Sequence, residues 1–427
     1  MKDICVVGLG HVGLPIAAML ASRGSTVLGV DVEASVISSI NSGISHIPEP
    51  GITQLVADVV NSGHLSASRF TCKADTYIIA VPTPLLPDKS PDLHHLIQAC
   101  ESITPHLGPG SLVIVESTIP PGTTTHIIAP ILNKNGLNVG ENLMLAHCPE
   151  RVLPGNVILE LGTNDRIIGG VSAQSSAKAA ELYRTFVTGN LLITDSTTAE
   201  FTKLAENTYR DLNIALANEL AQIAEATGVD VTEVIELANR HPRVNILSPG
   251  PGVGGHCIPI DPWFLVSKAQ NIATLIPAAR QVNDSQPEFV ANRVLKALDD
   301  ITAPRVAILG VAYKGNVSDV RETPATAVID ILEKANVEIR VHDPYVRTFV
   351  KPLVTIQEAF TGVDIAVLLT DHSAYLDLDP NLVAAKMRSR RIFDTRNVID
   401  KKRWIAAGFD LFRIGHNRPD IDHGIVV

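Results

Sequence analysis

Aromatic residues are scarce in this 427-residue chain: Phe, Trp and Tyr together make up 4% of it. Cores with so few aromatics must be filled by Val, Ile, Leu and Ala, which suits parallel sheets covered by helices on both faces. Cysteine is also scarce. Cys5, Cys72, Cys100, Cys148 and Cys257 are scattered, odd in number and without a C-x-x-C pair. Neither a metal site nor a disulfide framework is indicated, and a reducing compartment is the default. No apolar run reaches membrane-spanning length, so no membrane partner is expected. The first residues enter a strand pattern without a signal-peptide layout, and a cytoplasmic protein is expected. No long basic run is present and the formal net charge is −10, which argues against a nucleic-acid partner. An anionic ligand must then be gripped by a few placed Arg and Lys residues.

What is present is a βα pattern, twice. The length exceeds one core. The expected fold class is α/β, with two Rossmann-like parallel-sheet domains joined by a long central helix and a helical linker region. The expected divisions are 1–195, 196–300 and 301–427. The apolar run Ile4-Cys5-Val6-Val7 reads as a buried strand, followed by Gly8-Leu9-Gly10-His11-Val12-Gly13, a helix to Arg23, and a strand over residues 26–30 ending at Asp31. Gly8 serves the tight turn, Gly10 lets the backbone approach a pyrophosphate, and Gly13 lets the helix pack on the sheet. The helix N-terminus favours negative charge. Asp31 can accept ribose hydroxyls and would repel a 2′-phosphate, which favours NAD. Gly8, Gly10, His11, Val12, Gly13 and Asp31 are therefore cofactor candidates. Further strands end at Val81-Pro82-Thr83-Pro84 and Val115-Glu116-Ser117-Thr118. Thr83 and Thr118 sit where open α/β sheets bind ligands, although ordinary turn or capping chemistry explains them equally well.

Thr197-x-x-Glu200 reads as a capping box opening a helix that runs to Thr227 and stops at Gly228. Lys203, Asn207 and Arg210 share one face of it, either as a solvated surface or as part of a site. Leu204, Leu212, Leu216 and Ile223 form an apolar stripe, suitable for joining domains or pairing with a second copy. The stretch Pro251-Gly252-Val253-Gly254-Gly255-His256-Cys257-Ile258-Pro259-Ile260-Asp261 places one cysteine on a glycine-built loop. Cys257 is either a presented thiol or a buried structural one: a lone cysteine is more often buried, the turn-forming neighbours and Asp261 weigh the other way, and the two readings are level. From residue 305 the βα pattern restarts without a second G-x-G-x-x-G, so no second dinucleotide is expected there. Lys314, Arg321 and Arg396 lie near strand ends, a placement that suits a phosphate-bearing ligand.

The chain resembles the UDP-glucose/GDP-mannose dehydrogenase family of nucleotide-sugar 6-dehydrogenases over nearly its whole length. The resemblance is carried by residues 8–13, Val81-Pro82-Thr83-Pro84, Glu116-Ser117-Thr118, Cys148-Pro149-Glu150-Arg151, the helix from Lys203 to Glu219, Gly254-Gly255-His256-Cys257, Lys314 with Arg321-Glu322-Thr323-Pro324, and Asp394-Thr395-Arg396-Asn397. Residues 148–155, 241–247 and 254–264 look most like the members that act on UDP-N-acetyl-D-mannosamine. Ile260 stands where UDP-glucose members usually carry lysine. The resemblance implies a four-electron oxidation of a sugar C6 alcohol with NAD, through a Cys257 thiohemiacetal and thioester. It implies Lys203 as acid/base or oxyanion stabiliser, Asn207 as oxyanion or water holder, and Asp261, Glu150 and Thr118 as aids to proton transfer and hydrolysis. It also implies UDP-sugar contacts at Arg151, Val152, Lys203, Asn207, Arg210, His241, Arg243, Gly254, Tyr313, Lys314 and Arg396, with Arg321 on the NAD side. Arg243 is expected to act across a boundary in a homodimer or larger homo-oligomer. The rival readings are the same chemistry on UDP-N-acetylglucosamine or UDP-glucose, a two-electron 3-hydroxyacid-type dehydrogenase, and a catalytically silent NAD-binding protein.

Overall fold

The computed structural model describes residues 2–134, 136–153 and 155–420. The chain divides into two compact units, Met1–Glu206 with Trp263–Ile272, and Asn207–Pro262 with Ala273–Val427. The helix Ser196–Thr227 runs unbroken through the boundary at residue 206.

The first unit holds an eight-stranded sheet. Its strands are β1 (Lys2–Val7), β2 (Val27–Val30), β3 (Leu65–Ser68), β4 (Ala74–Ile79), β5 (Leu112–Val115), β6 (Met144–His147), β7 (Arg166–Gly170) and β8 (Leu191–Asp195), in the order β3-β2-β1-β4-β5-β6-β7-β8. The expected parallel arrangement holds except at one seam: β6 pairs antiparallel with β7, and β7 and β8 are parallel to each other. The central strands are apolar on both faces because helices cover both, and Val6, Ile78, Val113 and Ile114 are fully buried. Strand order reverses direction between β1 and β4, which puts a crevice at their carboxyl ends.

The second unit holds a five-stranded, wholly parallel sheet of β9 (Arg305–Leu309), β10 (Glu338–His342), β11 (Ile365–Leu368), β12 (Arg391–Asp394) and β13 (Asp410–Arg413), in the order β10-β9-β11-β12-β13. Its switch point lies between β9 and β11. Among the described residues no helix is long and apolar enough to cross a membrane.

Two expectations for the long helix are corrected. No capping box forms at Thr197. Asp195 accepts from the Thr198 amide at 2.9 Å, and Glu200 turns inward instead, accepting from the amides of Gly122 (2.5 Å) and Thr124 (2.7 Å). Two buried amides offer a carboxylate stronger partners than a solvent-exposed helix end. The expected apolar stripe also splits, because Leu204 is fully buried whereas Leu216 and Ile223 are exposed. The inward stripe is polar: Glu200, Lys203, Asn207, Asp211 and Asn218 recur at three-, four- and seven-residue spacing, and all are buried.

Candidate active site

The turn between β1 and the helix Gly13–Ser22 is shaped by glycines with different duties. Gly8 has φ +91°, and a Cβ there would sit 2.4 Å from the Ala80 carbonyl oxygen. A Cβ on Gly13 would lie 1.8 Å from the Gly8 carbonyl oxygen, so that glycine is what seats the helix. Gly10 is different: it is exposed and nothing lies within 4 Å of its would-be Cβ. The bare backbone at Gly10 is open for a ligand's approach, and no side chain caps the following helix. Asp31, at the end of β2, accepts from the Leu9 amide at 3.0 Å with one oxygen and from the Glu33 amide at 3.0 Å with the other. Each oxygen keeps acceptor capacity for a ribose hydroxyl. His11 is exposed and Val12 half-buried on the same turn. These residues fit a dinucleotide.

Thr83 is buried, and its hydroxyl donates to the Thr118 carbonyl at 2.7 Å. That is turn chemistry linking the ends of two strands, and it fixes the backbone that carries the Thr118 side chain. Glu150 accepts from the Val152 amide, and burial pushes its carboxyl up while the Lys203 charge opposes that rise. Arg151 is paired with Glu206 at 2.6 Å and donates to the Asp165 carbonyl at 3.0 Å.

The first unit also holds a buried polar cluster. Glu116 accepts from both Arg166 and Tyr183, and the Arg166 guanidinium stacks 4.2 Å from the Tyr183 ring centre. Burial raises the Glu116 carboxyl above the usual range, and Arg166 then Lys203 oppose the rise. His147 is fully buried beside them, and burial holds it neutral with a pKa of about 3. Glu116 appeared in the sequence only as part of a motif. Arg166, Tyr183 and His147 carried no signal there, because they come from three separate strands and helices.

In the second unit Cys257 is exposed, whereas Cys5, Cys100 and Cys148 are buried and Cys72 is half-buried. The Cys257 carbonyl accepts from the amides of Ile260 (3.1 Å) and Asp261 (2.9 Å), so the cysteine heads the turn leading into the helix Asp261–Lys268. Asp261 is 3% exposed and accepts from the Asn207 side-chain amide at 2.6 Å. Asn207 lies one helical turn after Lys203, and both are buried, so the solvated-face alternative fails for these two, while Arg210 on the same helix is exposed. Gly254 and Gly255 are required by contact: a Cβ on Gly254 would lie 2.6 Å from the Glu322 carbonyl oxygen, and one on Gly255, at φ +88°, 3.0 Å from the Tyr313 ring. Arg321 is paired with Asp319 at 2.6 Å, and its carbonyl accepts from the Gly255 amide at 3.0 Å. Arg396 approaches Asp371 at 3.3 Å and Lys314 is half-buried after β9. His241 and Arg243 are exposed on one loop, joined by the Arg243 amide donating to the His241 ring at 3.3 Å.

Comparison with known proteins covers all these segments. Residues 2–187 match the NAD binding domain of the UDP-glucose/GDP-mannose dehydrogenase family, 197–285 its central domain, and 307–401 its UDP binding domain. A UDP-N-acetyl-D-mannosamine dehydrogenase from Methanocaldococcus jannaschii is 48% identical, covering 98% of this chain and 97% of the relative. An NDP-N-acetyl-D-galactosaminuronic acid dehydrogenase from Ralstonia solanacearum is 43% identical over 95% of this chain and 98% of its own. The solved structure of a UDP-D-ManNAc dehydrogenase from Pyrococcus horikoshii superposes with a TM-score of 0.91 at 42% identity, over 97% of this chain and 99% of that one.

Proposed function

Because the chain belongs to the UDP-glucose/GDP-mannose dehydrogenase family, and is an NAD-dependent nucleotide-sugar dehydrogenase, we propose that it oxidises the C6 alcohol of UDP-N-acetyl-D-mannosamine to the uronate. The observation that carries this reading is the exposure of Cys257 alone among the five cysteines. An alcohol-to-aldehyde oxidation needs no thiol, whereas an aldehyde-to-acid oxidation gains one as a covalent anchor. When bound, NAD supplies a hydride acceptor, and a uronate requires two per sugar.

The thiolate of Cys257 adds to the C6 aldehyde, forming a C–S bond and a thiohemiacetal. Loss of the C6 hydride turns that adduct into a thioester. Water then adds, the C–S bond breaks, and the thiolate leaves behind a carboxylate. Lys203 serves as acid/base and stabilises oxyanion character, since a buried cation acts strongly where charge develops. Asn207 holds the Asp261 carboxylate with one amide hydrogen and keeps the other for an oxyanion. Asp261 and Glu150 take protons from the water. The raised Glu150 carboxyl suits that role, because a base works best with its pKa near the operating pH. The open backbone at Gly10 and the carboxylate of Asp31 bind NAD.

The test is NADH formed per sugar on UDP-N-acetylmannosamine, UDP-N-acetylglucosamine and UDP-glucose in parallel. Two NADH per sugar, fastest with UDP-N-acetylmannosamine, is expected. A different best sugar overturns the substrate, and one NADH or none overturns the four-electron chemistry. The second relative named above makes other N-acetylhexosamine nucleotides the useful control panel.

A second copy of the chain is proposed as partner. Phe201, Tyr209, Leu216 and Ile223 are all exposed, from 45% to 57%, and their spacing keeps them on one face of the long helix.

A further inference from the structure

Gly250 lies seven residues before Cys257 in a stretch without regular secondary structure, and its peptide is buried. A buried peptide must find partners for both its N–H and its C=O. Here both come from side chains on two helices. The Gly250 amide donates to Asn218 Oδ1 at 2.9 Å, and the Gly250 carbonyl accepts from Gln286 Nε2 at 3.3 Å. Behind Asn218 the bonds continue: Asn218 Nδ2 donates to Asn283 Oδ1 at 2.9 Å, and Asn283 Nδ2 donates to Asp211 Oδ1 at 2.8 Å. Arg280 closes the chain, donating to the same Asp211 oxygen at 2.5 Å. Asp211, Asn218 and Gln286 are fully buried, and Asn283 and Arg280 nearly so.

This chain has one direction. A backbone N–H can only donate and a carboxylate only accept, so neither asparagine can turn its amide over without setting like groups against each other. The orientation of both amides therefore follows from the chemistry of the two ends. Beyond Gly250 the loop is locked by contact. Gly252, at φ +131°, has Pro324 and Pro287 within 3.3 Å of its would-be Cβ, and Gly254 and Gly255 press on Tyr313. The peptide at Gly250 is thus the hydrogen-bonded anchor from which the rigid run to Cys257 starts.

We infer that Asn218 is a positioning residue for Cys257, acting through the Gly250 peptide. This rests on the reading of Cys257 as the nucleophile. Its consequence is specific: when the anchor is lost, the thiol no longer captures the aldehyde before it escapes. A purely structural role would lower the rate without changing the products.

The test uses the full chain carrying Asn218→Leu, which fills a similar volume but removes both the acceptor for the Gly250 amide and the donor to Asn283. Gln286→Met, which removes the second grip on the same peptide, is a parallel variant should the first fail to fold. NADH per sugar is measured with hydroxylamine present to trap released aldehyde. Cys257 alkylation by iodoacetamide is followed by mass spectrometry, with Cys72 as internal reference. Expected are an NADH ratio falling from two toward one with trapped aldehyde, and a shift of three-fold or more in the Cys257 alkylation rate while that of Cys72 holds. A folded variant that keeps both the ratio and the Cys257 rate overturns the inference. Wild-type protein that forms no uronate sinks the functional reading instead, and the alkylation comparison alone then decides whether Asn218 positions Cys257.

Discussion

His147 is fully buried, and neither ring nitrogen has a hydrogen-bond partner among the described residues. Its folded pKa of about 3 lies below the ordinary 6.5. Between those values the unfolded chain takes up a proton that the folded chain refuses, so stability is whole above pH 6.5 and is lost as pH falls toward 3. A His147→Asn variant should flatten that acid arm. The difference in slope from wild type should be roughly 1.4 kcal/mol per pH unit between about pH 6 and 4, read from urea midpoints. Arg166 offers a second test. Arg166→Met leaves the Glu116 carboxylate buried without its cationic partner, at a cost of about 3–5 kcal/mol, and adding Glu116→Gln should restore much of it. A double variant no more stable than the single one would show that the pair is not what holds this cluster together. Neither residue could be singled out from sequence. A histidine at a strand end and an arginine fifty positions from its carboxylate look like any others until the sheet closes around them.

At the level of elements, the β1 turn separates steric from ligand duties within six residues. Gly13→Ala forces a methyl into the Gly8 carbonyl and should lower stability by about 1–3 kcal/mol. Gly10→Ala meets nothing in the protein, so the melting temperature should hold while NAD affinity drops at least ten-fold in a fluorescence titration. Loss of stability in the second variant with unchanged NAD binding would contradict the assignment. The second sheet shows why a similar crossover need not bind a dinucleotide. Gly310 has φ +88° and Asp343 ends β10, much as Gly8 and Asp31 do in the first sheet. Yet the Asp343 carboxylate already accepts from the amides of Val311, Ala312, Tyr345 and Val346 and from the His372 ring. That acid is consumed in building its own loop.

For the whole molecule, the exposed face of the long helix is the testable feature. Leu216→Glu with Ile223→Glu should convert an assembled species to a smaller one in analytical ultracentrifugation if this face joins two copies, with each unit remaining folded because both side chains are already in solvent. An unchanged sedimentation coefficient would remove this face from consideration.

The dinucleotide turn and the glycine-built cysteine loop were legible in the residues themselves. Glycine at a tight turn or a close approach answers a local backbone demand, and such demands are written in consecutive positions. The apolar strands and their alternation with helices were legible for the same reason. Only the tertiary structure decided which charged and polar residues leave water. Lys203 and Asn207 are buried while Arg210, on the same helix, is not. Glu200 serves the peptides of Gly122 and Thr124 rather than its own helix end. Arg151 meets Glu206, and Asn218 meets Gly250 across thirty-two positions. Burial and long-range hydrogen bonds depend on which segments pack together, and a buried polar group takes whichever partner that packing brings within reach.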